Sequence, residues 1–359
     1  MYKYEELASE LENEIGSALA EGRRTLRTEQ QLCEQYGCSR QTVRMALKML
    51  REEGLIATRR GSGSRLTGLM PGKDRNRVVI LLNSTTDYIY PDMVSNIRRE
   101  FRNTGYSVSL FEIHGDFNME RRALNEILAG PAPRGMIVEC ISDYSNPNAD
   151  LYQKLLHAGC CLVMLCGRYQ NLPDVPCVMD NDYQGGYDAA SLLIRMGHTR
   201  IAGVFRSDQF QSRGRYLGYL CALRDHGLPF PRSHVLLSDA EDMADLIHSG
   251  GSAILDHFVT DVISACTAVL CYNDELACPL IRELTRRGVE VPGDLSVVSF
   301  DASYLRTIGP NILVSMGHQQ GEPARSAASL LLSRLRGEQQ TDIVLPWHIC
   351  PGTSVSAER

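Results

Sequence analysis

The sequence predicts a chain of class α/β, built as a small helical head, a short linker and a two-lobed body of doubly wound parallel sheets. Three observations predict it. Over residues 1–68 apolar residues recur at helical spacing and then give way to a glycine-rich segment flanked by arginines. Residues 69–76 are polar, contain Pro71-Gly72 and carry no periodicity, which marks a linker. From residue 77 to 359 short aliphatic runs alternate with amphipathic stretches, the pattern of βαβ units over buried parallel sheets.

In the head, Leu7, Leu11, Ile15 and Leu19 recur every four residues among glutamates, which predicts a first helix closing near Gly22. Thr28 with Gln31 three residues on is a capping-box pattern, so a second helix starts there, buries Leu32 and Tyr36 and stops at Gly37. Ser39 caps a third helix with Val43, Ala46, Leu47 and Leu50 on one face and Arg40, Gln41, Arg44 and Lys48 on the other. Two short helices joined by a tight turn, the second basic along its outer face, form a helix-turn-helix whose second helix suits the DNA major groove. Residues 55–58 and 59–67 read as two strands around Gly61-Ser62-Gly63, a basic wing. A basic helix face is often only a solvated surface. Here the order of three helices and a basic hairpin within seventy residues favours DNA. Residues 23–65 carry ten Lys and Arg against four Glu, although the whole chain has a net charge of −6.

In the body, the runs 78–82, 107–111, 136–139, 161–165, 201–205, 268–271 and 295–299 read as strands, and 91–103, 120–128, 184–196 and 275–287 as helices. About 280 residues of this pattern suggest two lobes. The first is assigned 77–180 with 315–339, the second 181–314 with 340–359. The chain is then expected to cross between them near Asp180, near 312–315 and near 337–341. Doubly wound folds bind ligands beyond the carboxyl ends of their strands. Tyr88, Tyr90, Glu139, Arg206, Asp208, Asn273 and Asp301 follow such runs. Carboxylates, amides and arginine beside tyrosines suit a polyol, whose hydroxyls donate and accept while an aromatic covers the ring. Asn and Asp at strand ends also often just cap the next helix.

Composition bounds the rest. The 359-residue chain is 43% hydrophobic and 22% charged, a globular balance. No apolar stretch approaches the roughly 20 residues that cross a bilayer, and the N-terminus lacks the basic-then-apolar pattern of a secretory signal. A cytoplasmic location without membrane contact is expected. The twelve cysteines show no C-x-x-C spacing, and those at 140, 161, 166, 177, 266 and 271 fall in or beside apolar runs, so they read as free core thiols rather than disulfides or metal ligands. The first strand of the body is followed by Asn83-Ser84-Thr85-Thr86, not G-x-G-x-x-G, and neither G-x-S-x-G, H-E-x-x-H nor a P-loop occurs. No cofactor, metal or catalytic residue is expected, and an enzymatic body is the weakest reading.

The head resembles the GntR-type winged helix. The resemblance rests on Leu26-Arg27-Thr28-Glu29, Cys38-Ser39-Arg40-Gln41-Thr42-Val43-Arg44, Glu53-Gly54-Leu55-Ile56 and Gly61-Ser62-Gly63-Ser64. It implies base and phosphate contacts by Arg40, Thr42 and Arg44 and an approach of the wing to the minor groove. The expected DNA-binding set is Thr28, Ser39, Arg40, Gln41, Thr42, Arg44, Arg60, Gly61 and Gly63. Arg27 stands where that family usually has Pro, and Arg65 where an aromatic or small residue is common.

The body resembles the effector domain of LacI/GalR repressors, which is related to periplasmic sugar-binding proteins. Val178-Met179-Asp180-Asn181, Met196-Gly197-His198-Thr199-Arg200, Arg215-Tyr216-Leu217-Gly218-Tyr219, Cys271-Tyr272-Asn273-Asp274-Glu275 and Ser299-Phe300-Asp301 carry the resemblance. It implies sugar contacts by Arg215, Asn273 and Asp301. With Asp180 and with His318 of the segment 315–318, the expected effector set is Tyr88, Tyr90, Glu139, Asp180, Arg206, Asp208, Arg215, Asn273, Asp301 and His318. The combination of head and body is similar to the arabinose-metabolism repressors of Gram-positive bacteria. Arg206 departs from the Lys expected there and Gln209 from an acidic residue. The resemblance implies a homodimer on operator DNA, released by a small sugar. A nucleobase or other metabolite as effector, and tighter DNA binding with effector, stand as alternatives.

Overall fold

A computed structural model describes residues 3–20, 23–52, 54–58, 64–67, 76–242, 253–263, 265–309 and 311–358. The head packs α1 (Lys3–Ala20), α2 (Glu29–Tyr36) and α3 (Arg40–Glu52) around Leu7, Leu11, Ile15, Leu32, Val43, Leu47 and Leu50. Strands β1 (Ile56–Thr58) and β2 (Ser64–Leu66) pair antiparallel, with Ile56 opposite Leu66, as the wing pattern predicts. The turn of the wing, with Arg60, Gly61 and Gly63, lies outside the described residues.

The first lobe is a six-stranded parallel sheet. Its strands are β3 (Arg77–Leu82), β4 (Ser107–Glu112), β5 (Gly135–Glu139), β6 (Cys161–Leu165), β7 (Cys177–Asp180) and β13 (Ile343–Leu345), in spatial order β13-β7-β6-β5-β3-β4. One face is covered by α5 (Phe117–Ala129) and α6 (Ala149–His157), the other by α4 (Tyr90–Glu100) and α11 (Glu322–Leu335).

The second lobe repeats the plan. Strands β8 (Ile201–Arg206), β9 (Val235–Ser238), β10 (Ala268–Cys271), β11 (Ser296–Phe300), β12 (Val314–Gly317) and β14 (His348–Cys350) lie in the order β14-β12-β11-β10-β8-β9, and only β14 runs antiparallel. Helices α7 (Asp182–Arg195) and α8 (Phe210–Asp225) cover one face, α9 (Ala253–Ile263) and α10 (Asp274–Arg286) the other. Each sheet, with both faces buried, reads as continuous apolar runs, which is why the alternation was legible.

Two of the three crossings fall later than the sequence assigns them. Residues 314–317 pair with β11 in the second lobe, and 343–345 pair with β7 in the first. The crossings therefore lie after Asp180, at 318–321 and at 346–347. A short apolar run declares itself a strand, but its sheet is chosen by tertiary pairing, for 343–345 with a strand 165 residues earlier, and periodicity carries no such information. Among the described residues the cysteines form no disulfide; Cys140, Cys177, Cys266 and Cys271 are buried, whereas Cys161 and Cys166 are half-buried. No described helix is long and apolar enough to cross a membrane.

Candidate functional site

The head's outer surface is α3. Val43, Ala46, Leu47 and Leu50 face the core, so the remaining arc of the helix carries Arg40, Gln41, Arg44, Met45 and Lys48 into solvent. Ser39 accepts from the Thr42 backbone N–H at 3.2 Å, and Thr28 and Gln31 complete the capping box of α2. The side chains of Thr28 and Ser39 thus fix helix ends, while Arg40 and Gln41 project freely from the first turn of α3. Arg44 pairs with Glu29 at 3.0 Å, an exposed contact that a phosphate can displace at small cost. Met45 was not among the expected contacts; it is the one large exposed apolar side chain among the described residues of the head.

The second candidate site is the cleft between the lobes, where strand ends of both sheets converge. From the first lobe comes Glu139, buried at the end of β5. It accepts from the Asn83 backbone N–H at 2.8 Å and from the Tyr90 hydroxyl at 2.9 Å. Burial raises its pKa above the usual carboxylate value, and those hydrogen bonds pull the other way.

From the second lobe comes Arg215, only 4% exposed. Its Nε donates to Asp182 at 2.8 Å, its Nη1 donates to the Tyr272 carbonyl at 2.7 Å, and Asp301 lies 3.3 Å from Nη1. The guanidinium carbon lies 4.7, 4.4 and 4.8 Å from the ring centres of Tyr272, Phe300 and Trp347. Hydrogen bonds on Nε and Nη1 and three ring faces hold this cation in place. The lobes touch here, because the Tyr88 hydroxyl reaches across to Asp301 at 2.9 Å. Arg213 makes a second bridge, donating to Asp143 and to the Tyr144 hydroxyl. Beside that bridge a cavity of about 310 Å³ opens between Ser142 and Tyr144 on one side and Arg206, Phe210 and Tyr216 on the other.

Tyr88, Asp301 and Arg215 are joined across the cleft and Tyr90 pairs with Glu139 on the first-lobe side, and none of the five lines that cavity. Arg206 and Asp208 do line it, bound to each other in a bidentate pair at 2.7 and 2.6 Å. Asn273 caps α10, its Oδ1 accepting from the Leu276 N–H at 3.0 Å, the ordinary structural role for such a residue. Asp180 and His318 meet each other at 3.0 Å where the chain crosses between lobes.

Three residues that matter escaped the sequence. Asp182, Phe300 and Trp347 hold Arg215, and Trp347 is the chain's single tryptophan, a signal that was available. Asp274 is buried and accepts from Ser299, from Ser315 at 2.8 Å, and from the Ser303 N–H and hydroxyl at 2.7 and 2.9 Å. It anchors the loop that presents Asp301.

Residues 3–66 match the family of bacterial regulatory proteins of the gntR type, and residues 190–355 match the periplasmic binding protein-like domain. The arabinose metabolism transcriptional repressor of Geobacillus stearothermophilus is 31% identical over 336 residues, covering 93% of this chain and 91% of that protein. The chain belongs to this repressor family. It is a transcriptional regulator, with a DNA-binding head and an effector-binding body. The repressor of the same name from Halalkalibacterium halodurans is 28% identical over 347 residues, 94% of the regulator and 90% of the relative. Among solved structures, the complex of the transcriptional regulator CelR with cellobiose shares the fold, with a TM-score of 0.66 and 22% identity over 94% of each chain.

Proposed function

We propose that the regulator is a cytoplasmic homodimeric repressor of sugar-utilisation genes that leaves its operator when a small sugar, arabinose or a related pentose, enters the cleft. The observation that carries this reading is the chemistry of the cleft. Glu139 and Asp301 come from opposite lobes, and each accepts a tyrosine hydroxyl at 2.9 Å. Carboxylates that already accept hydroxyls suit a polyol. The names of the related repressors support a pentose. The body has no catalytic role in this reading.

A sugar held by both lobes favours the arrangement in which they touch, and the dimer then presents its two α3 helices differently to DNA. The sugar must bind the DNA-incompetent state more tightly, because equal affinity for both states shifts nothing. A panel of pentoses and hexoses tests this by thermal shift and by operator mobility shift. A ligand at about a hundred times its dissociation constant stabilises the protein by roughly 2.7 kcal/mol. The same sugar is expected to release the operator; stabilisation by a nucleobase and by no sugar would overturn the reading.

A further inference from the structure

The three segments that cross between the lobes meet at one side chain. His318 stands at the start of the second crossing. Its Nδ1 is 3.1 Å from the Pro346 carbonyl of the third crossing, and its Nε2 is 3.0 Å from Asp180 at the first. Its ring lies over Trp347 with centroids 4.1 Å apart, and Trp347 is one of the three aromatic faces around Arg215.

Both polar partners of His318 only accept. A carbonyl oxygen requires a proton on Nδ1. Nε2 is sealed from solvent and faces the Asp180 carboxylate, somewhat off the straight hydrogen-bond line. A lone pair there would point at an anion, so the geometry suits the doubly protonated ring, and a cation is also what stacks best on an indole. We propose that His318 is a positioning residue of the hinge: as an imidazolium it ties the three crossings together and seats Trp347 against Arg215, so that effector recognition depends on a group that does not touch the effector. The dependence on effector rests on the sugar-driven closure described above.

The charges around the ring agree with the geometry. Burial works against the imidazolium, but Asp180, the Pro346 carbonyl and Glu322 at the start of α11 outweigh it and hold the pKa above the ordinary histidine value. Asp182 lies on the neighbouring helix, and Arg215 lies beyond the indole. A raised folded-state pKa means that the latch is complete below the ordinary histidine value and is lost as pH rises through the folded value.

Two measurements test it. Imidazole resonances of the effector-free full chain are titrated by NMR, with His318→Gln assigning the signal. His318 is expected to titrate above the ordinary histidine value and to fall back in Asp180→Asn. Effector affinity is then followed by calorimetry between about pH 7 and 9, where Asp182 and Asp274, each raised to about 6 by burial, are already largely ionised. Wild type is expected to weaken several-fold as pH rises, and His318→Gln to show a flat profile at the weaker level with unchanged effector-free operator binding. A His318 that titrates at or below the ordinary value overturns the proposal, as does a pH slope that survives in His318→Gln. If no sugar binds at any pH, the NMR titration still decides the latch and the failure belongs to the effector reading.

Discussion

Asp301 has a φ of 84°, and Tyr88, which reaches it across the cleft, has a φ of 51°. Left-handed backbone at non-glycine residues costs free energy and persists where the surroundings impose it, here through Asp274 and its serines. Asp301→Asn tests the carboxylate without adding strain, because Asn tolerates the left-handed region and keeps the shape. Losing a charge-assisted acceptor is expected to weaken the effector by about 1.5–3 kcal/mol. Operator binding without effector should be unchanged, since the head folds around its own core. A mobility-shift titration with and without sugar reads both, and release at the wild-type sugar concentration would remove Asp301 from the site. At this scale the polar residues after apolar strands were legible because strand ends are where such folds bind. Trp347 was not, since it meets Arg215 only after the chain has crossed between lobes twice more, and Asp182 was not, since it reaches Arg215 from a different helix.

The contact between α7 and α8 shows what places Arg215. A methyl group on Gly218 would lie 2.0 Å from the Tyr183 carbonyl oxygen, and one on Gly186 would lie 2.0 Å from that of Arg215. The two helix backbones touch with nothing between them, so neither position accepts a side chain without parting the helices. Gly218→Ala is expected to destabilise the body by roughly 1–3 kcal/mol, read as a lower urea midpoint. It should also blunt the effector response, because Arg215 sits one turn earlier on the same helix. A stable variant with normal response would mean that the helices part without moving the arginine. The long strands and the capped helices of the head were readable from periodicity and caps. Strands β7, β9, β12 and β14 have a polar residue or glycine among their three or four residues and β13 has only three, whereas β10, equally short, is wholly apolar and was readable.

The whole molecule carries a DNA-reading surface and a cleft, and the proposed homodimer sets its target. In that dimer two copies related by a two-fold axis present two α3 helices, so the operator is expected to contain inverted half-sites about one helical turn apart, or a multiple of it. Footprinting on a natural target checks this, and protection of a single unrepeated half-site by a monomer would contradict it. The two-lobed plan was legible in the alternation of apolar runs. Which lobe owns each late strand was not, because that is decided by tertiary pairing.

That late pairing also sets an order of events at the ribosome. Five strands of the first sheet are made by residue 180, yet the face bearing Ile137, Val163 and Val178 is covered by Ala327, Ala328 and Leu331 of α11, and the sheet gains its edge strand only at residues 343–345. Until then the nascent first lobe carries an apolar face that α4 covers only in part and an open strand edge, the condition that invites aggregation or chaperone capture. The second lobe emerges between the two halves of the first, except for β14, which follows the last strand of the first lobe. A chain stopped short of residue 322 would therefore leave an unfinished sheet in its first lobe instead of a shortened protein, and the two lobes mature together at the end of synthesis.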